Sequence, residues 1–94
     1  MVTKHAVERG IQRINNKSSK KNKDSNIRKI MRNDAFKRYF AFSNGKSKFY
    51  RYVRKDGCVF KYVIDKFSKD IITVHQVDFE KEMEKGFNIK FLVD

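Results

Sequence analysis

Two histidines, His5 and His75, stand out among the side chains able to move a proton near neutrality. An imidazole that is half protonated at about pH 6.5 suits proton transfer to and from a ribose 2′-hydroxyl and a leaving 5′-oxygen. A guanidinium beside it would stabilise the extra negative charge that develops on phosphorus. His5 has such neighbours by spacing, because in a helix Arg9 falls one turn beyond it and Arg13 one turn further. The competing reading is a solvated helix face. His75 sits in a run of β-favouring residues, "DIITVHQV", where the length of the preceding turn decides which face of a sheet it takes; a structural role is its simpler account. The catalytic candidates are His5, Arg9 and His75.

The second candidate chemistry is recognition. The stretch "SKFYRYVRKDGCVFKY" (47–62) interleaves aromatic rings with lysines and arginines. Asn44-Gly45 and Asp56-Gly57 are strong type I′ hairpin dipeptides, so three antiparallel strands are expected around them. Two-residue turns fix the register. With Asn44-Gly45 as a turn, Phe40 lies opposite Phe49 and Tyr39 opposite Tyr50. With Asp56-Gly57 as a turn, Val53 lies opposite Phe60, Tyr52 opposite Lys61 and Phe49 opposite Ile64. One face then carries Phe40, Phe42, Phe49, Val53, Phe60 and Ile64. The other carries Lys37, Tyr39, Lys48, Tyr50, Tyr52, Arg54 and Lys61.

A phenyl ring loses nothing by full burial, whereas a phenol needs a partner for its hydroxyl and is content at a wet surface. The phenylalanine face is therefore expected against the helices and the tyrosine face at least partly open. Rings among cations on an open sheet stack unpaired bases, at roughly 1 to 3 kcal/mol per base, while the cations hold phosphate. The alternative is that tyrosines and lysines only decorate the solvent side of an antiparallel sheet. Arg13 and Arg51 complete the nucleic-acid-binding candidates, although the register puts Arg51 on the phenylalanine face near the sheet edge. Val59, Val63, Ile72 and Val74 at the far edge of the tyrosine face call for a cover, such as the C-terminal helix or a second subunit.

Charge points to the same class of partner. The 94 residues hold 23 Lys and Arg against 11 Asp and Glu, a net charge of +12. Residues 1–55 hold 17 of those cations and 3 of the acids, whereas residues 56–94 hold 6 and 8. Such a field attracts phosphate polymers and releases their condensed counterions. It excludes an acidic mimic of nucleic acid. A membrane partner is not expected, because that would require bulky apolar residues opposite the lysines of an amphipathic helix.

The elements that must position these residues follow from periodicity. "TKHAVERGIQRI" (3–14) reads as a helix capped by Thr3, with Val7, Ile11 and Ile14 on one side; Gly10 weakens it. "NNKSSKKNKD" (15–24) has no apolar anchor and is expected to be a mobile basic loop. A second helix should start near Asp24 or Ser25, use Ile27, Ile30 and Met31 as its stripe, and end near Asn33 or Asp34. After the meander, Asp78 should cap a short helix with Phe79 and Met83 inward, and "FNIKFLV" alternates like an edge strand. The expectation is a single α+β domain over 1–94, with two N-terminal helices on a four-stranded antiparallel meander. A C-terminal helix and strand form an appendage over 78–94.

Other chemistries lack their residues. One cysteine, Cys58, excludes an intramolecular disulfide and a cysteine metal cluster, which suits a reducing, cytoplasmic setting. Two distant histidines without paired carboxylates make a poor metal site, and the four glycines serve turns and helix ends rather than a phosphate loop. No cofactor is expected, and no apolar run reaches the roughly 20 residues needed to cross a bilayer.

At "KHAVERGIQR" the pattern His5-Ala6-x-x-Arg9, with Arg13 following, resembles the His-Ala-x-x-Arg opening of small bacterial and phage domains related to the BrnT and RelE toxin group. "KFYRYVRKDGCVFKYVI" and "IITV" resemble the later strands of their meander. The resemblance spans about 12 residues at the start and about 30 in the sheet. It implies a RelE-like α+β fold and, for its characterised members, metal-independent ribonuclease activity with the sheet forming the RNA cleft. The leading expectation is thus a small RNA-directed protein, RNA rather than DNA, acting as a ribonuclease toxin or a catalytically silent relative, with an acidic antitoxin or a host protein as partner. The alternative is a phage or plasmid regulator that binds nucleic acid or a host protein and cleaves nothing.

Overall fold

The computed structural model describes residues 1–17, 23–85 and 88–92. Helix α1 spans Lys4–Lys17. Thr3 caps it as expected: its hydroxyl oxygen accepts from the Ala6 amide at 3.1 Å and its carbonyl from Val7 at 3.0 Å. Val7 and Ile14 are buried and Ile11 is half-buried against them. Gly10 has a packing reason. A Cβ there would come within 2.7 Å of Met31 Sδ and 3.1 Å of Ile27 Cγ2, so the glycine lets the second helix approach.

Helix α2 spans Asp24–Asn33, with Ile27 and Met31 fully buried. The expected loop at 15–24 is helical up to Lys17 and again from Asp24, with Lys23 extended before it, and residues 18–22 lie outside the described residues. α2 ends at Asn33 as expected, and the chain continues directly into a π-helical turn, Asp34–Arg38. Asp34 anchors that turn. Its buried Oδ2 accepts from Lys55 Nζ at 3.1 Å and from the Tyr62 hydroxyl at 3.2 Å. Burial, and then the Asp34 carboxylate, push the Tyr62 phenol far above its ordinary range.

Five strands form one antiparallel sheet in the order β4-β3-β2-β1-β5: β1 Ala41–Asn44, β2 Lys48–Lys55, β3 Cys58–Asp65, β4 Ile71–Val77 and β5 Lys90–Phe91. A short helix, α3 (Phe79–Glu84), precedes β5. The fold is therefore α+β, with three α-helices among the described residues and the tail strand paired to β1. α1 lies along β4 and against α2. The core joins their apolar sides to Val53, Phe60, Tyr62, Ile64, Ile71 and Val74.

The second hairpin has the expected register, Val53 opposite Phe60 and Tyr52 opposite Lys61, with Asp56 at φ 52° and Gly57 at φ 75° as a type I′ turn demands. The first does not. Asn44, not Phe40, lies opposite Phe49, Ser43 lies opposite Tyr50, and the Gly45 amide donates to Lys48 O, so the chain reverses two residues later than expected. The π-helical turn is one reason: it consumes Lys37 and Arg38, leaving the strand to start at Ala41. Packing is another, since Ala41 and Ser43 set small side chains opposite Tyr52 and Tyr50. Because the slip is even, Phe42 keeps its place on the Phe49 side. Tyr39 and Phe40, outside the strand, do not obey its alternation.

The far border of the sheet is closed by the backbone of the N-terminal segment and by side chains of Thr3 and Arg13. Val2 bridges Ile71, the Ile71 amide donates to Met1 O, and the Thr3 hydroxyl donates to Ile72 O. Further along, the Arg13 guanidinium donates to Val74 O. A bulge at Val63/Ile64 absorbs Ile72 and sets His75 opposite Lys61 and Val74 opposite Tyr62. Val74 thus enters the helix-side core rather than the tyrosine face.

Candidate nucleic-acid interface

The expected site residues fall into three groups. The first lies where α1 meets β4. Arg13 Nη1 donates to His75 Nδ1 at 3.1 Å as well as to Val74 O. A guanidinium cannot accept, so the neutral imidazole carries its proton on Nε2. His75 is exposed, on the sheet face that carries Lys61. Partial burial lowers its pKa below the ordinary histidine value, and the Arg13, Lys61 and Arg9 charges lower it further; Glu82 opposes them weakly. Arg9, Arg13, Lys61 and His75 therefore share one electrostatic neighbourhood, with Arg9 Nη1 also donating to Gln12 Oε1 at 2.9 Å. His5 is exposed on α1, and among the described residues no hydrogen bond or ion pair engages it or joins it to His75.

The second group is the sheet face opposite α1 and α2, expected at least partly open; Arg54 is exposed and Lys48 half-exposed there, but its middle, around Tyr52 and Lys61, is closed. α3 covers it. Asp78 caps that helix through Oδ1, accepting from the Glu80 and Lys81 amides, and Phe79 packs on Tyr52 at 5.3 Å, Phe40 at 5.2 Å and Phe91 at 5.9 Å between ring centroids. Met83, expected inward, is 48% exposed; Glu82 is buried instead, because its Oε2 pairs with Lys61 Nζ at 3.3 Å. Tyr52 is fully buried and its hydroxyl finds no partner among the described residues. Burial, then Glu82 and Tyr50, raise that phenol well above its usual range. Neither Tyr52 nor Lys61 is free for a ligand while α3 is seated. Tyr50 is half-buried with the Lys61 ammonium 4.7 Å from its ring centre, Lys48 is half-exposed, and Arg54 is exposed with its guanidinium 4.2 Å from the Phe40 ring.

The third group lies on the helix side of β1 and β2. Tyr39 packs toward the helix-side core and meets Phe42 edge-on at 6.3 Å, so it is not beside Tyr50 as the alternation suggested. Arg51 is on the phenylalanine face as expected. Its guanidinium carbon stands 4.1 Å from the Tyr39 ring, 5.5 Å from Phe49 and 5.9 Å from Phe42. Lys69 and Lys66 add ammonium groups 4.4 and 5.7 Å from the Phe49 ring. Lys37 is exposed on the π-helical turn. Phe42, Phe49, Lys66 and Lys69 escape the sequence reading; the signal for them was the misfit of Arg51 among phenylalanines.

A small cavity of about 60 Å³, lined by Phe42, Ser43, Asn44, Asn88 and Lys90, lies beside β5. It is well below the roughly 300 Å³ of an ordinary small-molecule pocket. Among the described residues no helix is long and apolar enough to cross a membrane, and no cluster of three His, Cys, Asp or Glu side chains is placed to hold a metal ion. No protein-family model, curated protein or solved structure matches the chain.

Proposed function

We propose that the protein binds single-stranded RNA, with a backbone phosphate held at the junction of α1 and β4. The observation that carries this reading is the Arg13 guanidinium bonded to His75 Nδ1, with Arg9 one turn away on α1 and, among the described residues, no carboxylate paired to either arginine. Two guanidinium groups one turn apart on α1 repel one another, and a phosphate between them removes that repulsion. The excess of cations over residues 1–55 supplies the wider field.

Metal-independent cleavage, as in RelE-like ribonucleases, is the enzymatic form of this proposal. The 2′-oxygen, giving its proton to His5, bonds to phosphorus as the P–O5′ bond breaks and the leaving 5′-oxygen takes a proton from water, while His75, with Nδ1 occupied by Arg13, donates a hydrogen bond from Nε2–H to a phosphoryl oxygen. The lack of any contact between the two histidines favours a second reading, in which RNA is held and not cut by a regulatory protein.

Incubation with labelled RNA in EDTA, repeated with His5→Ala and His75→Ala, separates the two. Cleavage that survives EDTA and is lost in either variant establishes the enzyme. Intact RNA retarded in a gel, with retardation weakened by Arg13→Ala and by salt, establishes the binder. RNA neither cut nor retarded at low salt overturns both.

A further inference from the structure

We infer a second nucleic-acid contact, a stacking site for unpaired bases built from Tyr39, Phe42, Phe49 and Arg51 on the helix side of β1 and β2. The inference rests on the RNA-binding reading and assigns it a surface separate from the α1–β4 junction. Three observations support it.

The first is exposure. Tyr39, Phe42, Phe49 and Arg51 are all half-exposed, whereas Phe60, Tyr62 and Ile64 on the same face are fully buried. The helices cover the β3 and β4 side of this face and leave β1 and the start of β2 accessible. The second is composition. A planar guanidinium has its carbon 4.1 Å over the Tyr39 ring, a cation–π contact of the kind to which a further flat π system can be added. The third is charge. Among the described residues the ion pairs join the N-terminus to Asp70, Lys55 to Asp34 and Lys61 to Glu82, so no carboxylate neutralises Arg51, Lys66 or Lys69. The Lys66 and Lys69 ammonium groups donate only to the carbonyls of Gly45 and Lys66. Rings beneath cations that lack counter-charges suit a ligand offering flat faces and phosphates in alternation, which describes a single strand of nucleic acid.

Arginine and lysine stems also cover apolar rings with no ligand involved, and the test is built to separate that role from stacking. The chain contains no tryptophan, so Phe42→Trp supplies a single reporter on the surface. This protein is titrated with oligo(U), with an abasic ribose-phosphate oligomer of equal length, and with inorganic polyphosphate. The expected result is quenching by oligo(U) alone, with oligo(U) binding at least tenfold tighter than the abasic strand, about the contribution of one stacked base.

Arg51→Lys, which keeps the charge and loses the plane, should remove most of that preference while polyphosphate binding stays within twofold. Far-UV circular dichroism verifies that each variant is folded, and the Phe42→Trp protein with Arg51 intact reads the contact even where Arg51→Lys unfolds the chain. Equal binding of base-bearing and abasic strands overturns the stacking site while the RNA reading stands. No binding to any of the three polyanions overturns both.

Discussion

Two aromatic and cationic clusters lie on opposite faces of one sheet and have opposite fates. Under α3, Tyr52 meets Phe79 and Lys61 meets Glu82, so ring and ammonium are both satisfied within the chain and shut from solvent. On the helix side of β1 and β2, Arg51 meets Tyr39, Phe42 and Phe49 without an ion pair among the described residues, and the cluster stays half-open. The residue types are nearly the same. What separates the clusters is a supplied carboxylate and a lid. A surface of rings and cations is therefore available for a partner only where the chain itself has not neutralised it.

That contrast can be broken most forcefully at Glu82. Glu82→Ala leaves the Lys61 ammonium in a largely buried site without its carboxylate, and a loss of about 3 kcal/mol is expected, read as a lower urea midpoint at unchanged slope. Arg51→Ala on the open cluster should cost only about 1 kcal/mol, the scale of a partly exposed cation–π contact, because no partner charge is stranded. A loss for Arg51→Ala as large as that for Glu82→Ala would make the open cluster a structural element. Tyr52→Phe sharpens the comparison further. The Tyr52 hydroxyl is buried without a partner, so its removal should leave stability unchanged or raise it by up to about 1 kcal/mol, measured by the same denaturation. A clear loss would mean that the phenol is satisfied by a water under α3.

The smallest expected effect is that of pH at the α1–β4 junction. His75 titrates below the ordinary histidine value in the folded chain, so the unfolded chain binds more protons in that interval. Its contribution to stability is complete above about pH 6.5, the unfolded value, and is lost as pH falls toward the depressed folded value. His75→Gln should flatten that part of the stability profile. Arg13→Ala should move the imidazole back toward its ordinary pKa, read from the ring proton in NMR titrations.

Local chemistry made part of this legible in advance. Asp56-Gly57 announces its turn because few other dipeptides accept positive φ twice, and the register of β2 and β3 follows from it. Thr3 and Asp78 announce their helices in the same way. The first hairpin was illegible because Gly45 does not adopt positive φ, and the position of the reversal depends on a π-helical turn fixed by Asp34, Lys55 and Tyr62 from three different elements. Of the candidate site, the place of Arg51 among phenylalanines was readable from alternation alone. The sealing of Tyr52 was not, since it depends on Glu82 rather than Met83 facing the sheet, a choice made by the position of Lys61 across the fold. The meeting of Arg13 and His75 was hidden by the bulge that sets the parity of β4.

The outer rim of β4 has a consequence for the protein in crowded solution. Carbonyls along such a rim ordinarily invite another molecule to continue the sheet, which is how fibres begin. Here the Thr3 hydroxyl and the Arg13 guanidinium already occupy those of Ile72 and Val74. Thr3 and the helix it caps thus also act as a guard against runaway polymerisation, and a chain stripped of its first residues should lose solubility.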